Sequence, residues 1–277
     1  MQKISILGCG WLGVQMAQTF IQAGYQVKGS RTSEAGCQEL EKIGIPAEKV
    51  LLTNLKPIQQ YELFFDTDIL IIAISPSSFN GKYLYHDAIN SILKIIKNNV
   101  HIVFISSTSV YADDNNEKFE TSATTGISRN SSSIILSEQL ITSQIKNKYS
   151  IIRPAGLIGK GRYPGKFFAG RKNIANGLAP VNLICGEDVC GIILKLIQQK
   201  KWNSIYNACA PDHPTKKDFY SKAAELIGLE KPDFSETKNE FKLINGDKVQ
   251  KELNYQFIYP DLMAWLSFSN NIPGMVS

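Results

Sequence analysis

Residues 3–13, with the sequence KISILGCGWLG, decide the fold of this chain. An apolar, strand-like run leads into a Gly-x-Gly-x-x-Gly turn, and a helix is expected to follow as far as about Gln22. The first glycine permits a tight turn, the second lets the backbone approach a diphosphate, and the third lets the helix pack closely on the strand. Because the amides at the helix N-terminus face this point, the stretch predicts a dinucleotide-binding turn. The residues expected to hold the dinucleotide here are Gly8, Gly10, Trp11, Leu12 and Gly13.

Outward from this turn, short β-rich runs alternate with longer amphipathic segments over the first 155 residues. This is the order of βαβ units in a parallel sheet. A helix is expected over 85–97, for example, because its apolar side chains fall on one face before Asn98 and Asn99. The pattern predicts an α/β fold with a doubly wound parallel sheet of the Rossmann type. The expected strands are residues 3–7, 25–30, 50–53, 68–74, 101–106 and 150–153.

The pattern changes after Arg153, where prolines and glycines crowd a loop-rich stretch. We therefore expect residues 1–155 to form the dinucleotide-binding domain, completed by elements within about 181–209. Residues 156–180 and 210–277 are expected to form a smaller, C-terminal substrate-side lobe. A chain of 277 residues can bury the core of one large domain or of two unequal ones. The helix and the strand that complete the first domain are expected at 186–199 and 204–208.

The composition excludes several classes of protein. A formal net charge of +5 on 277 residues is too dilute to predict a nucleic-acid partner, and the longest apolar runs are far shorter than the roughly 20 residues of a membrane helix. Five cysteines without a Cys-x-x-Cys pair fit reduced thiols in the cytoplasm. Three histidines without ligand spacing predict no metal site. We expect a cytoplasmic protein that acts on a small molecule, with a homodimer as an open alternative.

The end of the second expected strand indicates the coenzyme. About 20 residues after the first glycine, an NAD site would offer a carboxylate to the ribose hydroxyls, but here stand Ser30, Arg31 and Thr32. An arginine can pair with a 2′-phosphate, so NADP(H) is preferred and NAD(H) remains open. The alternative is a solvated arginine at a strand end. Ile74 and Ser75, at the end of the fourth expected strand, are predicted to line the same site.

The sequence FISSTSVY over 104–111, taken with the glycine turn, resembles the extended short-chain dehydrogenase family of nucleoside-sugar epimerases and dehydratases. IRPAGLIG over 152–159 resembles that family's sixth-strand exit. More closely, the turn, residues 30–33 and residues 161–164 resemble an atypical subgroup, the YeeZ-like proteins. The resemblance covers nearly the whole chain and implies NAD(P) binding. It adds Ser106 and Pro154 to the coenzyme site.

One departure from the family concerns catalysis. In the family, a Tyr-x-x-x-Lys pair on the helix after strand five supplies the proton. If Glu138 is aligned with the glutamate that often follows the pair, Asn130 stands at the tyrosine position and Ile134 at the lysine position. No Tyr-x-x-x-Lys occurs anywhere in the chain. The family's ordinary proton transfer is therefore not predicted here.

The resemblance still implies candidates for the chemistry. Ser107 matches the family's substrate-binding serine or threonine, so it would hold a carbonyl oxygen near the nicotinamide; the equal alternative is a serine that caps the strand end. Thr108 and Tyr111 are further catalytic candidates, although Tyr111 also fits a packing role. Arg162 and Arg171 fall in the glycine-rich loop and would suit a phosphate or carboxylate on a substrate. Solvation or an ion pair is the alternative for both.

These observations favour an NADP-dependent oxidoreductase or epimerase/dehydratase-like enzyme, with hydride transfer to a small or sugar-like carbonyl or alcohol. One alternative is a hydroxyacid or prephenate-type dehydrogenase. The strand-like runs after residue 155 disfavour it, because those enzymes usually carry an all-helical second domain. The other alternative is a non-catalytic, NADP-sensing regulatory protein, motivated by the missing Tyr-x-x-x-Lys pair.

Overall fold

The computed structural model describes residues 1–52, 58–76, 79 and 85–269. Contacts divide the chain into two units, each made from three segments. Unit 1 comprises Met1–Val110, Ile127–Arg153 and Ile193–Tyr206, and unit 2 comprises Tyr111–Gly126, Pro154–Ile192 and Asn207–Ser277.

The main element is a seven-stranded sheet with parallel pairing. Its strands are β1 (Lys3–Leu7), β2 (Gln26–Arg31), β3 (Ala47–Lys49), β4 (Ile69–Ile72), β5 (His101–Ile105), β7 (Tyr149–Pro154) and β10 (Ser204–Ala208). Across the sheet they stand in the order β10-β7-β5-β4-β1-β2-β3. The chain builds outward from β1 in one direction through β2 and β3, and from β4 in the other direction. The order therefore reverses between β1 and β4, which is where open α/β sheets bind ligands.

Amphipathic helices connect these strands. The helix after β4, for example, buries Ala88, Ile89 and Ile92 on the face expected from its 3.6-residue period. The predicted doubly wound α/β fold is confirmed. The helices are α1 (Trp11–Gln22), α2 (Glu34–Lys42), α3 (Glu62–Phe65), α4 (Tyr85–Ile95), α5 (Arg129–Gln144) and α6 (Gly186–Gln199).

Unit 2 combines short strands with helices. Two small parallel pairs form, β6 (Glu117–Lys118) with β11 (Leu243–Ile244) and β8 (Gly156–Ile158) with β9 (Leu183–Cys185). Its core is built around aromatic side chains such as Trp265. This mixture differs from the all-helical second domain expected of the hydroxyacid or prephenate-type alternative. The remaining helices are α7 (Lys216–Leu226), α8 (Asp247–Leu253) and α9 (Leu262–Ser269).

The third strand was predicted wrongly. It lies at Ala47–Lys49 rather than 50–53, and Thr53 falls outside the described residues. A strand at the edge of the sheet pairs only with β2, so it does not need the continuous apolar run that marks a buried strand. The apolar residues that follow it, beginning with Val50, form an extended wall instead of a strand.

The division into units differs from the expected boundaries of 155 and 181–209. Tyr111–Gly126 groups with unit 2 because β6 within it pairs with β11, more than 100 residues later in the chain. The segment containing β9 groups there as well, because β9 pairs with β8. Strands of two or three residues leave almost no periodic signal, so the sequence could not reveal either pairing.

Among the described residues, no helix combines the length and hydropathy needed to cross a membrane. The same residues contain no cluster of three or more His, Cys, Asp or Glu side chains that could hold a metal ion. All five cysteines are buried free thiols.

Candidate functional site

The three glycines of the turn after β1 have different surroundings. Gly8 has φ +91°, and a Cβ there would lie 2.8 Å from the backbone nitrogen of Ile74. A Cβ on Gly13 would lie 2.8 Å from the carbonyl oxygen of Gly8. A Cβ on Gly10, in contrast, would meet no atom within 4 Å. The outer glycines therefore pack the turn against the fold, while the middle one leaves its backbone open to a ligand.

Ser30, at the end of β2, fixes this turn in place. Its hydroxyl accepts the Gly8 N–H at 3.0 Å, and its carbonyl oxygen accepts the Cys9 N–H at 2.9 Å. The first turn of α1, which is fully described, contains no acidic residue, and Gly10 at its N-cap offers no side chain to the amides. A helix N-terminus without its own carboxylate suits an anion such as a diphosphate.

A cavity of about 300 Å³ opens beside the turn, within unit 1. It brings together residues from the ends of β1, β2 and β4, so it lies at the point where the strand order reverses. Of the predicted coenzyme residues, those that line it are Gly8, Gly10, Ser30, Arg31, Thr32, Ile74 and Ser75. Trp11, Leu12 and Gly13 form the first turn of α1 instead.

Sequence reasoning missed part of the cavity wall. Val50, Leu51, Leu52 and Phe79 contribute apolar surface to it. The first three were assigned to a strand, which hid their role as a wall. An apolar run directly after a short polar edge strand is the signal that could have found them.

Arg31 is the cationic residue among the described lining residues of the cavity, and no aspartate or glutamate is among them. Its Nε nitrogen is buried and has no hydrogen-bond partner within the described part of the chain. A buried donor without a partner costs free energy of about 1–3 kcal/mol, so an anionic acceptor would be favoured there.

Cys9 also lines the cavity, but its thiol is not a reactive group. Burial raises the pKa of Cys9 to about 11, and the neighbouring Arg31 only partly opposes this effect. The thiol therefore stays protonated near neutral pH and fills space between the turn and β2.

Ser106, at the end of β5, belongs to a buried cluster in unit 1. Its hydroxyl donates to Glu138 Oε1. Arg153 donates to both oxygens of the same carboxylate, through Nε at 3.0 Å and through a terminal nitrogen at 2.6 Å. The hydroxyl hydrogen of Ser106 is thereby committed, so towards any ligand Ser106 can only accept a hydrogen bond.

Ser107 is partly exposed, and its hydroxyl oxygen accepts the Ser109 N–H at 3.1 Å. This contact is the strand-end cap expected as the alternative, yet it leaves the hydroxyl hydrogen as a potential donor. Thr108 is buried. On α5, Asn130 and Ile134 are the residues expected from the resemblance at the positions of the family's tyrosine and lysine; Asn130 is exposed and Ile134 is buried.

Tyr111, the third catalytic candidate, begins unit 2 and is only 1% exposed. Its hydroxyl donates to Asn207 Oδ1 at 2.8 Å, and Asn207 in turn bonds to the carbonyl oxygens of Lys118 and Asn245. A hydroxyl held in this way ties elements of unit 2 together. The geometry matches the packing interpretation and argues against a proton donor.

The remaining predicted site residues also belong to unit 2. Pro154 is buried at the end of β7. Arg162 is exposed, and its backbone forms an antiparallel bridge with Gly159. Arg171 is exposed, with its guanidinium 5.6 Å from the ring centre of Phe168. A cation–π contact of this kind holds the side chain against its own loop.

Comparison with known proteins finds a relative by sequence and solved structures with the same fold. Protein YeeZ of Escherichia coli (strain K12) is 34% identical over 271 residues, which cover 94% of this chain and 97% of that protein. Two solved structures, each 15% identical, share the fold. The dTDP-glucose 4,6-dehydratase of Bacillus anthracis in complex with NAD has a TM-score of 0.77 and 97% coverage of both chains. The UDP-glucuronic acid 4-epimerase of Bacillus cereus, in complex with UDP-glucuronic acid and NAD, has a TM-score of 0.74, covering 99% of this chain and 98% of that one.

No protein-family profile matches the sequence. The subgroup indicated by the glycine turn and by residues 30–33 and 161–164 is nevertheless confirmed by the identity to Protein YeeZ along nearly the full length of both chains. The chain belongs to the YeeZ-like family and has the Rossmann-type fold of the sugar-nucleotide epimerases and dehydratases.

Proposed function

We propose that this protein binds NADP(H) in the cavity beside the glycine turn and transfers hydride to or from a small or sugar-like carbonyl or alcohol. The observation that carries the proposal is the pairing of an open glycine with a buried, unpartnered arginine nitrogen in one cavity. The space at Gly10 suits a diphosphate, and the Nε nitrogen of Arg31 suits an additional phosphate.

The described residues fit such a coenzyme in three respects. Gly10 leaves the room that a diphosphate needs, and the first turn of α1 carries no competing carboxylate. Val50, Leu51 and Phe79 offer an apolar wall suited to an adenine ring. Arg31 would pair with the 2′-phosphate, which distinguishes NADP(H) from NAD(H).

The coenzyme preference is tested with Arg31→Asp. We expect the dissociation constant for NADPH to rise by about 100-fold or more, because a strong charge-assisted contact is replaced by repulsion. The constant for NADH should change by less than about three-fold, because NADH lacks the 2′-phosphate. Isothermal titration with both coenzymes measures this difference. Equal weakening of NADPH and NADH would overturn the preference.

The bound coenzyme would supply the hydride acceptor or donor of the reaction. For its part, Ser107 would donate its hydroxyl hydrogen to the substrate oxygen, since its own oxygen already accepts the Ser109 N–H. Ser106 would orient ligands as an acceptor, held by Glu138. Water would supply the proton, because the family's Tyr-x-x-x-Lys pair is missing.

Catalysis is tested with Ser107→Ala. A single hydrogen bond to a developing oxyanion is worth about 2.7–4 kcal/mol, so we expect kcat to fall about 100-fold to 1000-fold on a reactive carbonyl substrate. NADPH affinity should stay the same, which is the control for intact folding. Unchanged turnover in this variant would remove Ser107 from the mechanism.

A non-catalytic NADP-sensing role is the second candidate, favoured by one observation. The position where the family has its lysine is the buried Ile134, so no cation lies there to lower the pKa of a proton donor. Tight NADPH binding without turnover across a broad carbonyl panel, unaffected by Ser107→Ala, would support the sensor.

We further propose that the protein is cytoplasmic and that its ligand is a small molecule. Measuring the mass of the protein in solution by analytical ultracentrifugation would decide whether it forms a homodimer.

A further inference from the structure

The stem of the Arg31 side chain lies across the first turn of α2. A Cβ built on Gly36 would be only 3.1 Å from both Cβ and Cγ of Arg31, and 3.2 Å from the hydroxyl oxygen of Ser33. Carbon atoms in contact normally lie about 3.5–4.0 Å apart. The arginine therefore occupies a space that exists because position 36 has no side chain.

Neither the backbone conformation nor the hydrogen bond of the cap requires glycine at this position. Gly36 lacks the positive φ that marks Gly24 and Gly44, so its backbone conformation is open to any residue. Its N–H bonds to Ser33 Oγ at 3.2 Å as part of the helix cap, a contact that every residue except proline can make. Inside a helix, glycine is less favourable than alanine. The remaining reason for a bare Cα is space, because a Cβ would crowd the stem of Arg31 and, at 3.2 Å, the hydroxyl of Ser33.

We propose that Gly36 is a positioning residue for coenzyme selectivity, which holds the Arg31 guanidinium at the cavity by leaving room for its stem. The inference rests on the proposed NADP(H) preference and extends it to a residue that need not touch the coenzyme. Ser33 and Gly36 then act together, since the first caps α2 and the second lets Arg31 cross the capped turn.

A methyl group at position 36 would act on Arg31 rather than on the fold. The backbone fixes the Arg31 Cβ through the pairing of β2 with β3, where Arg31 stands opposite Lys49. The Cγ atom, however, can leave the contact by rotation about χ1, which carries the guanidinium away from its present place. The gain in helix propensity offsets the remaining crowding, so the protein should stay folded.

The test is a double-mutant cycle of Gly36→Ala and Arg31→Ala, with NADPH and NADH affinities measured by titration for the full-length protein. In the wild-type background, Gly36→Ala should raise the NADPH dissociation constant about ten-fold and the NADH constant less than two-fold. In the Arg31→Ala background, Gly36→Ala should change neither constant. Gln38→Ala, at an exposed position of the same helix, is the matched control and should leave both affinities and the melting temperature unchanged.

The outcomes separate this inference from the proposed function. If Arg31→Ala selectively weakens NADPH but Gly36→Ala does not, the positioning role is wrong and the coenzyme preference stands. Equal losses for both coenzymes in Gly36→Ala, or a further NADPH loss in the Arg31→Ala background, also overturn the positioning role. If the wild type binds NADPH no better than NADH, the coenzyme preference itself fails.

Discussion

Gly8→Ala is expected to lower the free energy of unfolding by about 2–5 kcal/mol. A side chain at positive φ costs ~1–2 kcal/mol, and forcing a carbon into a packed site costs ~1–3 kcal/mol more. Both penalties apply, because Gly8 has φ +91° and its Cβ would lie 2.8–2.9 Å from backbone atoms of Ala73 and Ile74. These backbone atoms directly follow the buried strand β4, so they cannot move aside as a flexible side chain would. Urea unfolding, followed by circular dichroism, measures the change.

Gly10→Ala is the matched control for this prediction, since it adds the same methyl group two residues later. Its Cβ would project into open space and its φ of −80° is ordinary, so the free energy of unfolding should stay within about 1 kcal/mol of wild type. NADPH binding, in contrast, should weaken at least about ten-fold, because the methyl group enters the space of the diphosphate. A stable Gly8→Ala variant, or a Gly10→Ala variant that binds NADPH normally, would contradict the assigned roles.

The sequence predicts well those parts of the fold whose structural role requires a recognisable local pattern of residues. β4 is buried along its whole length, so it reads as an uninterrupted apolar run, and the turn after β1 requires glycines at fixed spacing. β3 has no such pattern, because a strand at the sheet edge does not need a continuous apolar run. The pairing of β6 with β11 depends on residues more than 100 positions apart, which no local pattern encodes.

The residues of the candidate site also fall into two groups, those that a local sequence pattern reveals and those that only a contact in the folded chain reveals. The sequence predicts the cavity-lining residues that lie at or just after strand ends, because parallel strands bring those ends to one edge of the sheet. The role inferred for Gly36 depends on a contact with Arg31 across a turn, and spacing alone does not reveal it. The spacing around Glu138 does not reveal its contacts with Ser106 and Arg153 either, because the three residues lie on separate elements and meet only in the folded chain.

The Glu138–Arg153 ion pair is the second site where a large effect is expected. Both side chains are nearly inaccessible, at 5% and 3% exposure, and they join α5 to β7. Glu138→Ala would leave the guanidinium of Arg153 buried without its carboxylate, which typically costs ~3–5 kcal/mol. Ser106 would lose its acceptor in the same variant. We therefore expect Glu138→Ala to destabilise unit 1 by about 4 kcal/mol, measured by urea unfolding.

A second variant separates the cost of a buried charge from the loss of packing. Replacing both partners, as Glu138→Leu with Arg153→Met, removes the charges together and keeps apolar volume in their place. The double variant should be more stable than either Glu138→Leu or Arg153→Met alone, because neither charge is left buried and unpaired. If the losses of unfolding free energy in the single variants simply add, Glu138 and Arg153 act independently. The pair would then not act as one unit in holding Ser106 at the end of β5. Recovery in the double variant would instead show that Glu138 and Arg153 are energetically coupled, as expected of a buried ion pair whose charges are costly when left alone.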